Sequence, residues 1–383
     1  MHTALLMLAL VFFLAGCIVQ DKSTSGMKAQ AGASASIKEV VVDHRYIAID
    51  NVCAWPNLTM LDDGTIIATI FNQPSHARAV GDVECWATTD GHFWKKRGTP
   101  ARHEPNANRM NVAAGKAING DLLVIASGWS LKPIEKTEDA SHEYELVDVL
   151  RPWVSRSSDG GRHWDVSQQA FPAGEPGMTE FIPFGDILPG EDGSLRVLAY
   201  AQSDDQATNK VSMFSSEDDG KNWVQLSVIS NGLGETAFSK GHNETAFFHL
   251  GEGKWIAAAR RWRAGAATDL FRSADDGKTW QLDHQLTQES QHPAHLLLLN
   301  DGRLLLTYGN RVPGNFGVAT KISEDGGASW SEEMQVVNDL MASDAGYPAS
   351  VQLPDGRILT AYYAARVASH QRYHMGVAIW QLE

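Results

Sequence analysis

The chain has 383 residues, of which 46 are Asp or Glu and 32 are Lys or Arg, giving a formal charge of −14. This surplus of acid excludes the basic stripe that a nucleic-acid partner calls for. It leaves room for an anionic small substrate, because a few arginines in a funnel reverse the local field.

The first element is an apolar run over residues 3–16, short for a membrane span, that ends in Leu14-Ala15-Gly16-Cys17. These four residues match a bacterial lipobox, so residues 1–17 read as a lipoprotein signal peptide and Cys17 as the lipidated residue. Residues 18–37, rich in Lys, Ser, Gly and Ala, read as a flexible tether. The expected location is the cell envelope, facing the periplasm or the exterior, with the membrane engaged through the lipid anchor only.

From residue 38 onward two repeats alternate. The first is an apolar run, an acidic or Asn residue with Gly, and a second apolar run, the strongest short-range signal of a β-hairpin. It centres on Gly64 (LTMLDDGTIIATI), Gly120 (GKAINGDLLVIAS), Gly193 (ILPGEDGSLRVLA), Gly253 (AFFHLGEGKWIAA), Gly302 (LLLLNDGRLLLTY) and Gly356 (SVQLPDGRILTAY). The second is the Asp-box S-x-D-[DG]-G-x-x-W at residues 157–164, 216–223, 273–280 and 323–330, with a copy one residue shorter at 88–94. In such a box the Ser and Asp bond the backbone of a tight loop, the Gly takes a positive φ, and the Trp packs back between strands. It therefore diagnoses a fold and contributes no chemistry. Recurrence every few tens of residues signals a solenoid or propeller. Six hairpins, five of them followed by a strand pair that a box closes, predict an all-β, six-bladed β-propeller over residues 38–383 as one domain.

Cys53 and Cys85 fall in the first predicted blade on strands separated by another strand, which predicts two buried free thiols, and no spacing suggests a metal site. Gly277-Lys278-Thr279 imitates the end of a phosphate loop, but the upstream Gly such a loop needs is Arg272. His292 and His295 are three apart on a strand, so they point to opposite faces and cannot chelate together without a bulge.

In a propeller the strands nearest the axis open at one mouth, the natural pocket. Counting nine positions back from the hairpin glycines gives Trp55, Asn111, Glu244 and Tyr347, with Pro293 beside His292. A carboxylate and a phenol at equivalent positions suggest paired chemistry; the bland alternative is two strand-end residues satisfied by their neighbours.

At this point the sequence resembles the Asp-box exo-sialidases. HNETAFFHLGEGKWIAAARRW looks like the segment carrying that family's catalytic glutamate and second carboxylate-binding arginine, which fall on Glu244 and Arg260. AGYPASVQLPDGRILTAYY is similar to the segment of the nucleophilic tyrosine, here Tyr347, and NRVPGNFGVATKISEDGGASW offers Arg311 as the third arginine. In SHARAVGDVECWATTDG the acid/base role falls on Asp82, with Glu84 as second choice and Arg78 as a nearby partner. The chain departs from the family at Ala54, which stands where the first arginine belongs; Arg109 is the candidate to compensate, and Trp55 to hold the apolar face of a sugar. The resemblance implies a retaining exo-glycosidase releasing terminal sialic acid or a related acidic sugar, with Glu244 as base to Tyr347 and no metal or cofactor. Sialidases with a tyrosine nucleophile depart from the usual two-carboxylate pattern. Two alternatives stay open: a hydrolase or lyase for another acidic glycan using His292 or His295, and a non-catalytic glycan-binding propeller.

Overall fold

Apolar runs broken by Asp-Gly or Asn-Gly turns dictate antiparallel meanders, and the computed structural model is built of them. It describes residues 39–135, 143–232, 240–262 and 266–383; the predicted signal peptide, Cys17 and the tether lie outside these. Among the described residues every regular element is a strand.

Strand β1 (Val40–Asp50) opens the described chain. The first meander follows as β2 (Ala54–Met60), β3 (Ile66–Phe71), β4 (Val83–Thr88) and β5 (Lys95–Ala101). The second is β6 (Asn111–Lys116), β7 (Leu122–Pro133), β8 (Tyr144–Ser157) and β9 (Asp165–Ser167). The third is β10 (Ile182–Pro189), β11 (Leu195–Gln202), β12 (Asn209–Ser216) and β13 (Val224–Ser230). The fourth is β14 (His242–Gly251), β15 (Lys254–Arg261), β16 (Thr268–Ser273) and β17 (Gln281–Gln285). The fifth is β18 (Gln291–Leu298), β19 (Leu304–Asn310), β20 (Gly317–Ser323) and β21 (Met334–Val337). The last, β22 (Ala345–Gln352), β23 (Ile358–Ala364) and β24 (His374–Leu382), has only three consecutive strands, and β1 completes it by pairing with β24. The second and third meanders form one eight-stranded sheet because β6 and β10 pair in parallel; the others are separate four-stranded sheets.

The hairpin between the first two strands of each meander turns at a glycine of positive φ: Gly64, Gly120, Gly193, Gly253, Gly302 and Gly356. Middle strands such as IIATIF in β3 and ILTAYYA in β23 are buried along their whole length, while QLDHQ in β17 is almost wholly exposed. A continuous apolar run needs cover on both faces, and neighbouring sheets supply it. Phe71 and Ile66 pack with Leu359 and Val377, Ile125 with Val197 and Phe214, Met213 with Phe247 and Phe271, and Ile256 with Leu304 and Leu306. The first strands touch in sequence from β2 through β6, β10, β14, β18 and β22, and β22 touches β2 again.

The boxes form the turns between third and fourth strands. Ser157 Oγ donates to Asp159 at 2.9 Å and accepts from the Gly161 amide at 2.8 Å, and Trp164 donates to the Gly161 carbonyl at 3.0 Å. Ser216, Ser273 and Ser323 repeat this arrangement. In the shortened copy Trp94 donates instead to the Tyr46 hydroxyl of β1, at 3.0 Å. Cys53 and Cys85 are buried free thiols.

Candidate active site

The first strands of all six meanders line one cavity of ≈ 260 Å³, whose walls include Trp55, Asn111, Phe184, Glu244, His295 and Tyr347. No Asp-box residue contributes to it. Five of these strands break register at the cavity: β2 between Ala54 and Asn57, β10 between Phe184 and Ile187, β14 between Asn243 and Thr245, β18 between Gln291 and Ala294, and β22 between Gly346 and Ala349. A bulge twists a strand and re-aims one side chain, and here the bulged stretches contain Trp55, Glu244, His292 and Tyr347. Trp55 and Tyr347 sit at φ 46° and 50°, the left-handed region that side-chain-bearing residues avoid and that clusters at functional sites. Pro56, Pro293 and Pro348 follow directly, and a residue without an N–H suits a break in the ladder. The dipeptides Trp-Pro, His-Pro and Tyr-Pro were the available sequence signal for these bulges.

The Tyr347 hydroxyl donates to Glu244 Oε1 at 2.5 Å. Arg260 Nη1 bonds Glu244 Oε2 and lies 3.3 Å from the Tyr347 oxygen. Arg311 places its guanidinium carbon 5.3 Å from the Tyr347 ring centre and donates through Nε to the Ala345 carbonyl at 3.1 Å. Burial, then the Glu244 charge, push the Tyr347 phenol well above its usual range, against the pull of Arg260 and Arg311. At rest the phenol therefore keeps its proton, and the carboxylate it touches is placed to receive it. Burial disfavours charge on Arg260, yet Glu244 and Tyr347 outweigh it and hold the guanidinium protonated. Arg260 Nε and Arg311 Nη2 are buried without a hydrogen-bond partner among the described residues.

Arg78 and Trp55 line the cavity as the sequence reading places them; Arg260 and Arg311 are not on its wall but reach it through Tyr347, and three further residues lie away from it. Asp82 ends the loop that follows β3, and its carboxylate accepts from the His103 amide at 2.8 Å and contacts the His103 ring at 2.6 Å, in a separate groove with Lys96 and Arg102. Glu84 is buried in β4, bonded to Asn72 at 2.9 Å, Trp86 at 2.9 Å and Lys96 at 2.6 Å. Arg109 does not replace the missing arginine: it is sealed by Glu104 at 3.0 Å, the Arg151 carbonyl at 2.8 Å and the face of Trp153. Ala54 is wholly buried in the core shared by the first and last sheets.

His292 does not line the cavity; burial, Arg260 and Arg311 lower its pKa to about 2, which leaves a neutral, weakly basic ring. His295 does line it, 3.3 Å from Asp186, which also accepts from Asn57 at 2.9 Å. Sequence reasoning missed Asn57 and Asp186, and it missed Phe184, although the same count of nine from Gly193 reaches that residue. It also missed His76 and Asp344, which meet at 2.9 Å across 268 residues of sequence with no local pattern to announce them. Among the described residues no cluster of three or more His, Cys, Asp or Glu is placed to hold a metal ion.

A cavity ringed by six meanders, with Tyr347 and Glu244 on its wall and Arg260 bonded to Glu244, defines an all-β protein of repeated meanders. The chain belongs to the BNR repeat-like domain family, whose model matches residues 64–360. Among solved structures, a protein of unknown function from Dyadobacter fermentans DSM 18053 matches with a TM-score of 0.75 and 22% identity over 91% of this chain and 100% of that chain. The Hadza microbial sialidase Hz136 matches with a TM-score of 0.63 and 16% identity over 86% of this chain and 65% of its own. For the Trypanosoma rangeli sialidase the values are 0.61 and 15%, over 86% and 55%. The chain thus spans less than two thirds of the length of these two sialidases. None of the curated proteins matches it in sequence.

Proposed function

We propose that the six meanders are the blades of a closed propeller and that its cavity is the active site of a retaining exo-glycosidase of sialidase type, acting on terminal sialic acid or a related acidic sugar. The observation that carries this reading is the 2.5 Å contact between the Tyr347 hydroxyl and Glu244. A phenol is a poor nucleophile at neutral pH, and Glu244 is within reach to take its proton as Tyr347 attacks the anomeric carbon. A neutral phenol also avoids the repulsion that a carboxylate nucleophile meets when the anomeric centre bears a carboxylate. The unpartnered donors of Arg260 and Arg311 suit such a substrate carboxylate. With Ala54 in place of the first arginine the clamp is weaker by about 1.5–3 kcal/mol, and Trp55 and Phe184 offer aromatic faces to the sugar instead. Lipidation of Cys17 would tether this enzyme to a membrane.

The test is a screen of the chain from residue 37 onward on fluorogenic sialosides beside other acidic glycosides, with the anomer first released read by NMR. Turnover with retention supports the reading. An unsaturated product would move it to a lyase, and binding without turnover to a glycan-binding protein.

A further inference from the structure

The sialidase-type reading needs a proton donor for the leaving oxygen, and both carboxylates expected to supply it, Asp82 and Glu84, lie outside the cavity. One titratable group on the cavity wall is otherwise unused and half exposed: His76, on the same loop as Asp82, with its side chain 50% exposed. Its Nδ1 meets Asp344 Oδ1 at 2.9 Å. Its ring meets Trp55 edge-on with centres 4.9 Å apart, and Trp55 lies 6.1 Å from Tyr347. Asp344 is itself fixed by the hydroxyls of Tyr363, at 2.5 Å, and Tyr373. Burial opposes its ionisation, but the bonds from His76, Tyr363 and Tyr373 outweigh it and hold the carboxyl well below the usual range. A carboxylate on Nδ1 fixes the imidazole tautomer and orientation and leaves Nε2 for the reacting oxygen.

Resting on the retaining-glycosidase reading, we infer that His76 is the acid/base residue of this site, with Asp344 as its positioning partner. In the first step Nε2–H of protonated His76 passes its proton to the glycosidic oxygen as the bond to the anomeric carbon breaks, while the Tyr347 oxygen bonds that carbon and its proton goes to Glu244. In the second step neutral His76 takes a proton from water. The water oxygen bonds the anomeric carbon, the Tyr347–carbon bond breaks, and the phenolate recovers its proton from Glu244. Charge and atoms balance over the cycle with water as the only co-reactant.

A general acid matters in proportion to how poor the leaving group is. His76→Gln should lower kcat/KM by about 10²–10⁴-fold on glycosides with an alkyl or sugar leaving group and by less than about 10-fold on the 4-nitrophenyl glycoside. Asp344→Asn should give the same asymmetry with smaller losses. A 3-fluorosialosyl fluoride, whose leaving group needs little protonation, should still label Tyr347 in both variants, as read by peptide mass spectrometry, which also shows that the site is folded. Equal losses on all leaving groups, or unchanged cleavage of the alkyl glycoside by unlabelled His76→Gln whose parallel sample forms the Tyr347 adduct, overturn the role of His76 and leave the glycosidase reading standing. Failure of the wild-type chain to form a Tyr347 adduct with the 3-fluoro glycosyl fluoride of the acidic sugar it turns over overturns both.

Discussion

The Tyr347 phenol keeps its proton beside Glu244, and on the proposed mechanism the two residues fail in different ways when changed. Tyr347→Phe removes only the attacking oxygen from a packed ring, and kcat should fall by more than about 10³-fold with the melting temperature nearly unchanged. Glu244→Gln should cost activity and also about 1–3 kcal/mol of stability, because the amide leaves the buried Arg260 charge without a counter-ion. Urea melts of the two variants separate the cases; equal stabilities contradict the ion pair. Asp344 gives a pH signature. Its folded pKa is depressed, so its contribution is complete above about pH 4, where the unfolded carboxyl is ionised, and is lost as pH falls through the folded value. The advantage of wild type over Asp344→Asn should therefore be largest at neutral pH and shrink steadily below about pH 4. An advantage that stays constant down to pH 3 would contradict it.

The strand ends decide where these side chains point. A regular ladder would alternate its residues between faces, whereas the bulges in β2, β14 and β22 turn Trp55, Glu244 and Tyr347 into one cavity. Between elements, close approach is set by small residues. Gly115 of β6 pairs in parallel with Ile187 of β10, and a Cβ there would meet the Ile187 carbonyl oxygen at 2.4 Å. Gly115→Val should pry apart the second and third meanders within their shared sheet at a cost of at least about 1–3 kcal/mol in urea denaturation. Gly64→Ala, where a Cβ meets open space at φ 81°, should cost only the left-handed backbone penalty of about 1–2 kcal/mol. A Gly115→Val variant as stable as the parent would show that the parallel junction does not hold the two meanders together.

At the largest scale β1 ties the start of the described chain to its end: it supplies the outermost strand of the last sheet, and its Tyr46 accepts from Trp94 of the first sheet. Without it β24 would present an unpaired edge, a template for aggregation. A chain beginning at Asn51 should melt at lower temperature and self-associate, as read by calorimetry and size-exclusion chromatography; a monomer of unchanged melting temperature would refute the edge-covering role of β1. At the other end of the same segment, Cys17→Ser should release the protein from membrane fractions, since a lipid anchor and not a spanning helix is proposed to hold it.

The repeats by themselves determined the β-meanders, the hairpin turns and the register that places Trp55, Glu244 and Tyr347 at equivalent positions, because a hydrogen-bond ladder carries a residue count from a turn to the strand's far end. What the count does not carry is the course of the loop beyond that end. Asp82 and His76 share one loop, yet the loop delivers His76 to the cavity and Asp82 to His103. Arg109 is one residue from Met110, which lines the cavity, and its guanidinium is drawn instead to Glu104 and Trp153. Only tertiary structure settles such choices, since the partners that win each side chain, Asp344 for His76 above all, come from segments whose distance in sequence says nothing of their distance in space.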